Sequence, residues 1–386
     1  MVVTYSDDGS TVTFTGTSGD TLSGGTASLT NSTNSKTATI AIVEGYGSIG
    51  ENAFLGATSL TSITIGASVT SIGESAFEDS ALITVTFDAD SKLKSIGNQA
   101  FYGAKSLANI TIPANVTSIG EYAFKLASAL TSINIPAKVT IINTQTFSDA
   151  SSLATVTFEA GSQLESIGAG AFAYATSLTS ITIPATVTSI GAGAFNISGI
   201  TDVLYNEDST MLVYYPPSLE AVNFEIPATV TSIGASAFDG AISLTSIIIP
   251  ASVTSIGDQA FFGTLSLSSI IIPANVTSLG EYAFSRVYDT GVESKLTKVT
   301  FEAGSKLTSI GKGAFQNASS LTSIIIPANV TTIGSLTFAY TSSLTTIIIP
   351  AGVTSIGSQA FYESGLITVY IANGQLDIPS PDTDVS

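Results

Sequence analysis

The sequence of 386 residues predicts one solenoid of about 13 stacked repeats, built mostly of β-strands with short helical or 3₁₀ turns. Three observations predict this fold. A phenylalanine recurs at a nearly constant interval, which is typical of repeat architectures. Apolar residues alternate within each unit, which indicates strands. Hydrophobic residues make up 44% of the chain and charged residues only 10%, so stacked units can bury a continuous core.

The recurring phenylalanine follows Ala or Thr in every unit. Most intervals are 23 residues, and two longer ones, of 43 and 31 residues, predict insertions at 203–227 and 285–295. The thirteen positions are Phe54, Phe77, Phe101, Phe124, Phe147, Phe172, Phe195, Phe238, Phe261, Phe284, Phe315, Phe338 and Phe361.

The unit "LTSIIIPASVTSIGDQAF" (244–261) shows how the first elements are predicted. Ile247 and Ile249 alternate with period 2, so both face the core from a first strand. Pro250 cannot donate a ladder hydrogen bond and therefore ends that strand. Gly257 allows a turn that a Cβ atom would strain.

The same unit also contains a second extended piece and a closing turn. The segment "VTSIG" predicts a short second strand, with Val253 and Ile256 facing inward. The segment "DQAF" predicts a short helical or 3₁₀ turn that places Ala260 and Phe261 in the core. One unit cannot bury its apolar face alone, so neighbouring units must stack.

The repeat resembles the BspA-type (Treponema pallidum-type) leucine-rich repeats, which follow the pattern L-x-x-I-x-I-P-x-x-V-x-x-I-G-x-x-A-F-x-x-C-x-x-L. Two units that match it are "LANITIPANVTSIGEYAF" (107–124) and "LTSITIPATVTSIGAGAF" (178–195), and the resemblance covers about residues 49–371. Small residues such as Ala104 and Thr264 occupy the position of the family's cysteine.

The resemblance implies a leucine-rich-repeat solenoid, assigned by convention to the α/β class. It also implies a secreted or cell-surface protein, because members of the family are mostly of that kind in bacteria and some protists. Several members act as adhesins for host matrix proteins or for other cells. The family supplies no catalytic residues to transfer to this chain.

The two ends of the chain lie outside the repeat. Residues 1–48 predict a β-rich cap, because "VTYSDDGSTVTFTG" alternates and turns at Asp8-Gly9 like a hairpin. Residues 49–371 form the predicted solenoid, and 372–386 predict a tail or linker. The start of the chain has no signal peptide, so we expect a mature or trimmed form of an extracellular or cell-surface protein.

Composition excludes several classes of function. The net charge is −18, without the clustered Lys and Arg that nucleic acid requires, and no apolar run is long enough to insert into a membrane. Because Cys and His are absent, thiol and imidazole chemistry are excluded. The acidic loops 6–11 and 88–91 do not follow the pattern of an EF-hand. We therefore expect no enzyme activity, no metal and no cofactor.

The outward positions of the first strands differ between the two halves of the chain. The first half carries mostly Ser and Thr there, whereas the second half carries a row of isoleucines. By analogy with leucine-rich repeats, this sheet lines a concave binding face. The predicted contact residues are Ser246, Ile248, Ser269, Ile271, Lys298, Ile325, Ile348 and Tyr370. The alternative is that Ile is simply a good strand former, copied as the repeats duplicated.

The first insertion provides a second candidate surface. Its aromatic residues could project and bind a partner, or they could form a small core beneath the insertion. They are Tyr205, Tyr214, Tyr215 and Phe224.

The sequence therefore predicts a non-catalytic, adhesin-like binding protein whose partner is a host matrix protein or another cell-surface protein. Two alternatives stay open. One is a self-assembling structural surface protein, in which the isoleucines of two copies pair. The other is a binder of polysaccharide or ice that uses the threonine-rich face of the first half.

Overall fold

The structure, a computed structural model, describes residues 2–23, 37–286 and 293–372. It divides into two compact units, Met1–Ile200 and Thr201–Ser386, each of which is a solenoid of parallel strands and turns. Residues 24–36 of the predicted cap and the C-terminal tail from 373 lie outside the described residues, as do residues 287–292 of the second insertion. The limits predicted for the cap and the solenoid stay predictions.

The first unit contains sixteen strands in its described residues. They are β1 (Val2–Tyr5), β2 (Thr11–Thr15), β3 (Thr21–Leu22), β4 (Ile40–Glu44), β5 (Ser48–Ile49), β6 (Ser62–Ile65), β7 (Ser71–Ile72), β8 (Thr84–Phe87), β9 (Ser95–Ile96), β10 (Asn109–Ile110), β11 (Ser118–Ile119), β12 (Ser132–Ile135), β13 (Ile141–Ile142), β14 (Thr155–Phe158), β15 (Ser166–Ile167) and β16 (Ser189–Ile190).

The second unit contains fifteen strands in its described residues. They are β17 (Leu204–Tyr205), β18 (Met211–Tyr214), β19 (Asn223–Glu225), β20 (Ser232–Ile233), β21 (Ser246–Ile248), β22 (Ser255–Ile256), β23 (Ser269–Ile272), β24 (Ser278–Leu279), β25 (Lys298–Phe301), β26 (Ser309–Ile310), β27 (Ser323–Ile324), β28 (Thr332–Ile333), β29 (Thr346–Ile349), β30 (Ser355–Ile356) and β31 (Thr368–Ile371).

Most repeats contribute one first strand and one second strand. In the second unit the second strands belong to one sheet, whereas the first strands form three short sheets, β19-β21, β23-β25-β27 and β29-β31. In the first unit, the first strands form the sheet β1-β2-β4-β6-β8-β10-β12-β14, and the second strands form the sheet β16-β15-β13-β11-β9-β7-β5-β3. Only β1 and β2 pair antiparallel in the first of these sheets, with Tyr5 opposite Val12, so the predicted N-terminal hairpin is confirmed. β2 then pairs in parallel with β4, which extends the first-strand ladder to the hairpin.

The turn that carries the phenylalanine differs from the prediction, because no described residue is helical or 3₁₀. Gln259 has φ of 56°, a left-handed conformation that a continuing helix does not allow. Alternate N–H groups instead reach the next repeat, where Gln259 N donates to Glu281 O at 2.7 Å and Phe261 N to Ala283 O at 2.8 Å. The backbone therefore satisfies its donors between repeats as well as within the turn.

The phenylalanines stack into one ladder in each unit. From Phe54 to Phe195, neighbouring ring centroids lie 5.1–5.5 Å apart with interplanar angles of 5–11°. From Phe238 to Phe361, they lie 4.9–5.8 Å apart, with angles of 2–9°. Each ring is nearly removed from water, so the ladder supplies a large share of the apolar burial.

Glycine follows most of the second strands, and it is favoured there by close contact between backbones; Asn143, after β13, is an exception. A Cβ atom on Gly120 would lie 2.4 Å from Asn98 N and 2.5 Å from Gly97 C. A Cβ atom on Gly257 would similarly lie 2.6 Å from Ala235 N. Neither glycine has a positive φ, so the cause is the approach of the preceding repeat and not a left-handed turn.

Threonine hydroxyls next to the second strands also bond between repeats. In the second unit, Thr254 Oγ1 donates to Thr231 O at 3.2 Å, and Thr277 Oγ1 donates to Thr254 O at 3.3 Å. The same pattern continues from Thr331 to Thr308 O at 3.2 Å. Each hydroxyl thus binds the carbonyl of the equivalent residue one repeat earlier.

The first predicted insertion contains a modified repeat. Its strands β17 and β18 form an antiparallel hairpin, and β18 pairs in parallel with β20, as a second strand does. Tyr215 follows and donates its N–H to Ala237 O at 2.6 Å, as Phe238 does to Ala260 O. Its ring lies 5.0 Å from that of Phe238. Tyr215 therefore occupies the place of a ladder phenylalanine.

Replacement of Gly120 by Ala should destabilise the first unit by about 1–3 kcal/mol, because the new Cβ overlaps rigid backbone atoms. Gly19→Ala is the matched control, since nothing lies within 4 Å of its Cβ position and its φ is not positive. It should change the free energy of unfolding by less than about 0.5 kcal/mol. Urea unfolding followed by circular dichroism measures both, and equal effects would contradict the role given to the glycine.

The second unit should lose stability at alkaline pH. Burial raises the pKa of Tyr214 to about 12, and the nearby Asp239 carboxylate acts in the same direction. The folded protein keeps a proton that the unfolded chain releases near pH 10, so this stabilisation is present below about pH 10 and is lost as pH rises toward about 12.

The variant Tyr214→Phe isolates this effect. Between about pH 9 and pH 12, the wild-type protein should lose up to about 2–3 kcal/mol more of its free energy of unfolding than the variant does. Urea unfolding at the two pH values gives the comparison. If the variant loses as much as the wild type, Tyr214 does not cause the alkaline loss.

Candidate ligand-binding face

The first strands of the second unit present alternate residues to the core and to solvent. Ile247 and Ile270 are buried, whereas their neighbours Ile248 and Ile271 are exposed. The same alternation leaves Ile325 and Ile348 in solvent. Exposed fractions are 61% for Ile248, 57% for Ile271, 78% for Ile325 and 53% for Ile348. A half-exposed side chain on this scale can still lose much of its apolar surface to a partner.

Strand register within each short sheet, together with the repeat period, places these side chains at equivalent outward positions. Ile248 pairs with Glu225, Ile271 pairs with Thr300, and Ile348 pairs with Tyr370, which is also exposed. A separate bridge joins Ile325 to Ile348. We call the outward positions of β21, β23, β25, β27, β29 and β31, together with Ile325, the isoleucine face.

A second outward row on the isoleucine face is polar. Ser246 pairs with Asn223 and donates its hydroxyl to the Asn223 side chain. Lys298 pairs with Ser269 on one side and with Ser323 on the other. Its ammonium group has no hydrogen-bond or ion-pair partner among the residues that the structure describes, so it is free to bind an external anion.

A cleft of about 440 Å³ opens beside this face, between the repeat of β25 and the repeat of β27. Its apolar lining includes Phe301, Ile325 and Pro327, and Lys298 and Glu302 belong to its polar lining. The volume lies within the range typical of ligand pockets. Lys298 and Ile325 are among the predicted contact residues, but the sequence pattern gives no signal of the cleft that joins them.

Phe301 forms this cleft because it replaces an isoleucine. In the neighbouring strand, Ile272 pairs with Phe301 and is fully buried, whereas Phe301 is half-buried. The loop after Phe301 is anchored by Glu302, whose Oε2 accepts a hydrogen bond from Ala274 N at 3.1 Å. The cleft therefore rests on a larger side chain and a longer loop than a standard repeat has.

The residues predicted for the first half form a different surface. Thr84, Thr86, Thr155 and Thr157 are exposed on the first strands of the first unit. Thr157 Oγ1 donates to Asn134 Oδ1 at 2.9 Å, so part of the hydroxyl row is used within the protein. This face lacks the large apolar side chains of the isoleucine face over β8 to β14.

The secondary candidates in the first insertion belong mainly to the core. Tyr214 and Tyr215 are buried, and Tyr205 and Phe224 are half-buried. Tyr215 packs edge-on against Phe224, with ring centroids 5.0 Å apart. The alternative of a small core beneath the insertion therefore describes the packing, and projecting aromatic rings do not, because these rings fill the end of the phenylalanine ladder.

An exposed isoleucine near the isoleucine face is not predicted by the sequence pattern. Ile367 precedes β31, is 85% exposed, and donates its N–H to Thr345 O at 2.9 Å. It lies at a loop position, where the period-2 pattern of a strand gives no signal. Within the described residues, no group of three or more acidic side chains could hold a metal ion, and no helix is long and apolar enough to cross a membrane.

The isoleucine face and its cleft are thus a neutral, mainly apolar surface on a repeat scaffold. A crystal structure of a leucine-rich cell-surface protein from Faecalibacterium prausnitzii A2-165 is similar, with 28% identity, a TM-score of 0.51 and coverage of 97% of this chain and 93% of that one. A leucine-rich-repeat protein from Eubacterium ventriosum has 26% identity, a TM-score of 0.48 and coverage of 95% and 93%.

The pneumococcal vaccine antigen PcpA has 20% identity, a TM-score of 0.41 and coverage of 96% of this chain and 98% of that one. No curated protein matches the sequence at a significant level. The model of the BspA-type leucine-rich repeat region matches residues 30–154, 86–202, 213–302 and 292–380. Because these matches span most of the sequence, the chain belongs to the BspA-type leucine-rich-repeat family.

Proposed function

We propose that this chain is a non-catalytic, adhesin-like protein of the cell surface that binds another protein through its isoleucine face. The observation that carries the proposal is the row of exposed apolar side chains from Ile248 to Tyr370. Contiguous apolar patches of a few hundred Å² on a soluble protein usually mark sites of contact. The similar protein from Faecalibacterium prausnitzii, described as a cell-surface protein, supports the location.

The energetics suit a reversible partner. Complete burial of four isoleucine side chains would supply several kcal/mol, at about 1.5–3 kcal/mol each. Loss of translational and rotational freedom removes at least about 4 kcal/mol of the gain. The face alone therefore supports micromolar affinity at best, and several copies on one cell would bind more strongly through avidity.

Self-association is a second candidate function, favoured by the charge of the face. The strands that form it carry one outward charge in their described residues, Lys298, and the adjoining strand β19 carries one of opposite sign, Glu225. A second copy could therefore approach this face despite the net charge of −18 on the chain. The threonine-rich face of the first unit keeps the polysaccharide or ice alternative as a proposal for that unit.

The test is binding of the whole chain to extracellular-matrix proteins, to bacterial surface polysaccharides and to itself. The variant carries Thr at positions 248, 271, 325 and 348. We expect it to lose a protein partner by at least tenfold in affinity, because it removes most of the apolar contact. The matched control carries Ala at positions 86, 111, 157 and 182, which are outward threonines of the first unit.

Each outcome identifies a surface. Loss of protein binding only in the isoleucine variant supports the proposal, and loss of concentration-dependent sedimentation in that variant supports self-association. Loss of polysaccharide binding only in the threonine control assigns function to the first unit. Full binding by the isoleucine variant contradicts the proposed function.

The isoleucine variant should remain folded, because Thr already occupies the outward positions of β8 and β14. We expect its free energy of unfolding to change by less than about 0.5 kcal/mol per site. The contrasting variant is Ile270→Thr, at a buried neighbour of Ile271, which should cost about 1–3 kcal/mol by burying a hydroxyl. Similar losses in chemical unfolding at exposed and buried positions would contradict the assigned orientation of the strand.

A further inference from the structure

We infer that the cleft beside Lys298 binds a protein segment in which an aromatic or aliphatic side chain lies next to a carboxylate. This inference rests on the proposed function, because it names the partner chemistry of the same face. Each unit contains one such cleft. The two clefts have equivalent walls but carry different outward side chains.

The first unit contains a cleft of about 470 Å³ at the equivalent place. Phe87 and Pro113 line it where Phe301 and Pro327 line the cleft of the second unit. The anchoring contacts also repeat. Asp88 Oδ2 accepts from Ala67 N at 3.1 Å, just as Glu302 Oε2 accepts from Ala274 N.

The asparagine on the far wall is equivalent in both clefts. Asn115 Nδ2 donates to Ser91 O at 3.3 Å, and Asn329 Nδ2 donates to Ser305 O at 2.8 Å. Both amides are therefore used to hold the loop that forms the wall. The shape of the cleft thus follows from the repeat, and its shape alone does not indicate a ligand.

The two clefts differ at three outward positions, one of which exchanges the polar Asn109 for the polar Ser323. Lys298 in the second unit corresponds to Thr84 in the first, and Ile325 corresponds to Thr111. Neither substitution is needed for folding, because the first unit forms the same cleft with threonine. The second unit has therefore gained one free cation and one exposed apolar side chain at a site of unchanged geometry.

The distribution of charge agrees with an anionic group at this end of the cleft. All five basic residues of 201–386 lie between Arg286 and Lys312, although that half of the chain is acidic overall. Lys298 is on the strand, and Lys306 is exposed on the loop beside the cleft. At physiological salt, charges more than about 8 Å away are largely screened, so these lysines outweigh the distant acids.

The cleft also has a direction. Lys298 begins β25 and Glu302 follows its end, so their Cα atoms lie about 13 Å apart along an extended strand, and the Glu302 carboxylate is held at Ala274 N. A carboxylate bound at Lys298 is therefore well separated from Glu302. The apolar side chain next to that carboxylate then lies over Phe301, Ile325 and Pro327.

The test uses the full chain and three short synthetic peptides. In these peptides, a central phenylalanine follows aspartate, asparagine or lysine. We expect the aspartate peptide to bind at one site per chain, about tenfold more tightly than the asparagine peptide, because a hydrogen bond to a charged group exceeds a neutral one. Its affinity should fall as salt is raised.

Two single variants copy the first unit into the second. Lys298→Thr should bring the aspartate peptide to the affinity of the asparagine peptide, a loss of about tenfold. Ile325→Thr should weaken both peptides by about the same factor, because it removes apolar contact and no charge. The reverse double variant, Thr84→Lys with Thr111→Ile, should add a second binding site in the first unit.

Several results would overturn the inference. They are the absence of peptide binding, an equal or higher affinity for the lysine peptide, and an affinity that Lys298→Thr does not change. Binding of polygalacturonate with the same dependence on Lys298, in the absence of peptide binding, would assign the cleft to an anionic sugar instead.

The outcomes also separate this inference from the proposed function. If the isoleucine variant loses a protein partner while no peptide binds the wild type, the face functions but its partner is not of this chemistry. If the peptides bind as expected while no protein depends on the isoleucines, the cleft binds such a segment and the wider face does not function in adhesion.

Discussion

The close contact between the backbones of neighbouring repeats is the constraint on which the structure of each unit depends. At the glycine that follows most second strands, the preceding repeat lies so near that a Cβ atom on Gly120 would be 2.4 Å from Asn98 N. This contact holds successive turns at strand spacing, which lets the N–H of Phe124 bond to Thr146 O at 2.9 Å. It also brings the rings of Phe101 and Phe124 to 5.2 Å.

The same constraint separates folding from binding. The contact between repeats fixes the core positions. The outward side chains of the first strands affect only their neighbours in the sheet. Ile271 and Thr300 therefore stand opposite each other in one ladder without disturbing the buried pair Ile270 and Val299. A scaffold of this kind can carry a hydroxyl face in one unit and an apolar face in another with the same backbone.

Much of this arrangement could be predicted from sequence, because period 2 assigns side chains to the two faces of a strand. The exposure of Ile248 and the burial of Ile247 follow from that rule alone. Tyr215 could not be assigned to the ladder from sequence, because its spacing from the second strand is shorter than that of a ladder phenylalanine. Tyr215 follows Leu212 by three residues, whereas Phe238 follows Ile233, which pairs with Leu212, by five. The cleft escaped prediction because the pattern treats Phe301 as an ordinary inward residue, and only packing shows that it is too large to be fully buried.

The hydrogen bonds from threonine to the preceding repeat have a consequence for how such chains change in length. Thr277 donates to the carbonyl of Thr254, and Thr254 donates to that of Thr231, so every donor meets an identical acceptor one period earlier. Loss or gain of a whole period in the gene would leave each donor with an equivalent acceptor. Such a change would shorten or lengthen the row of isoleucines by one step, so the extent of this exposed apolar row can vary while the coil stays intact.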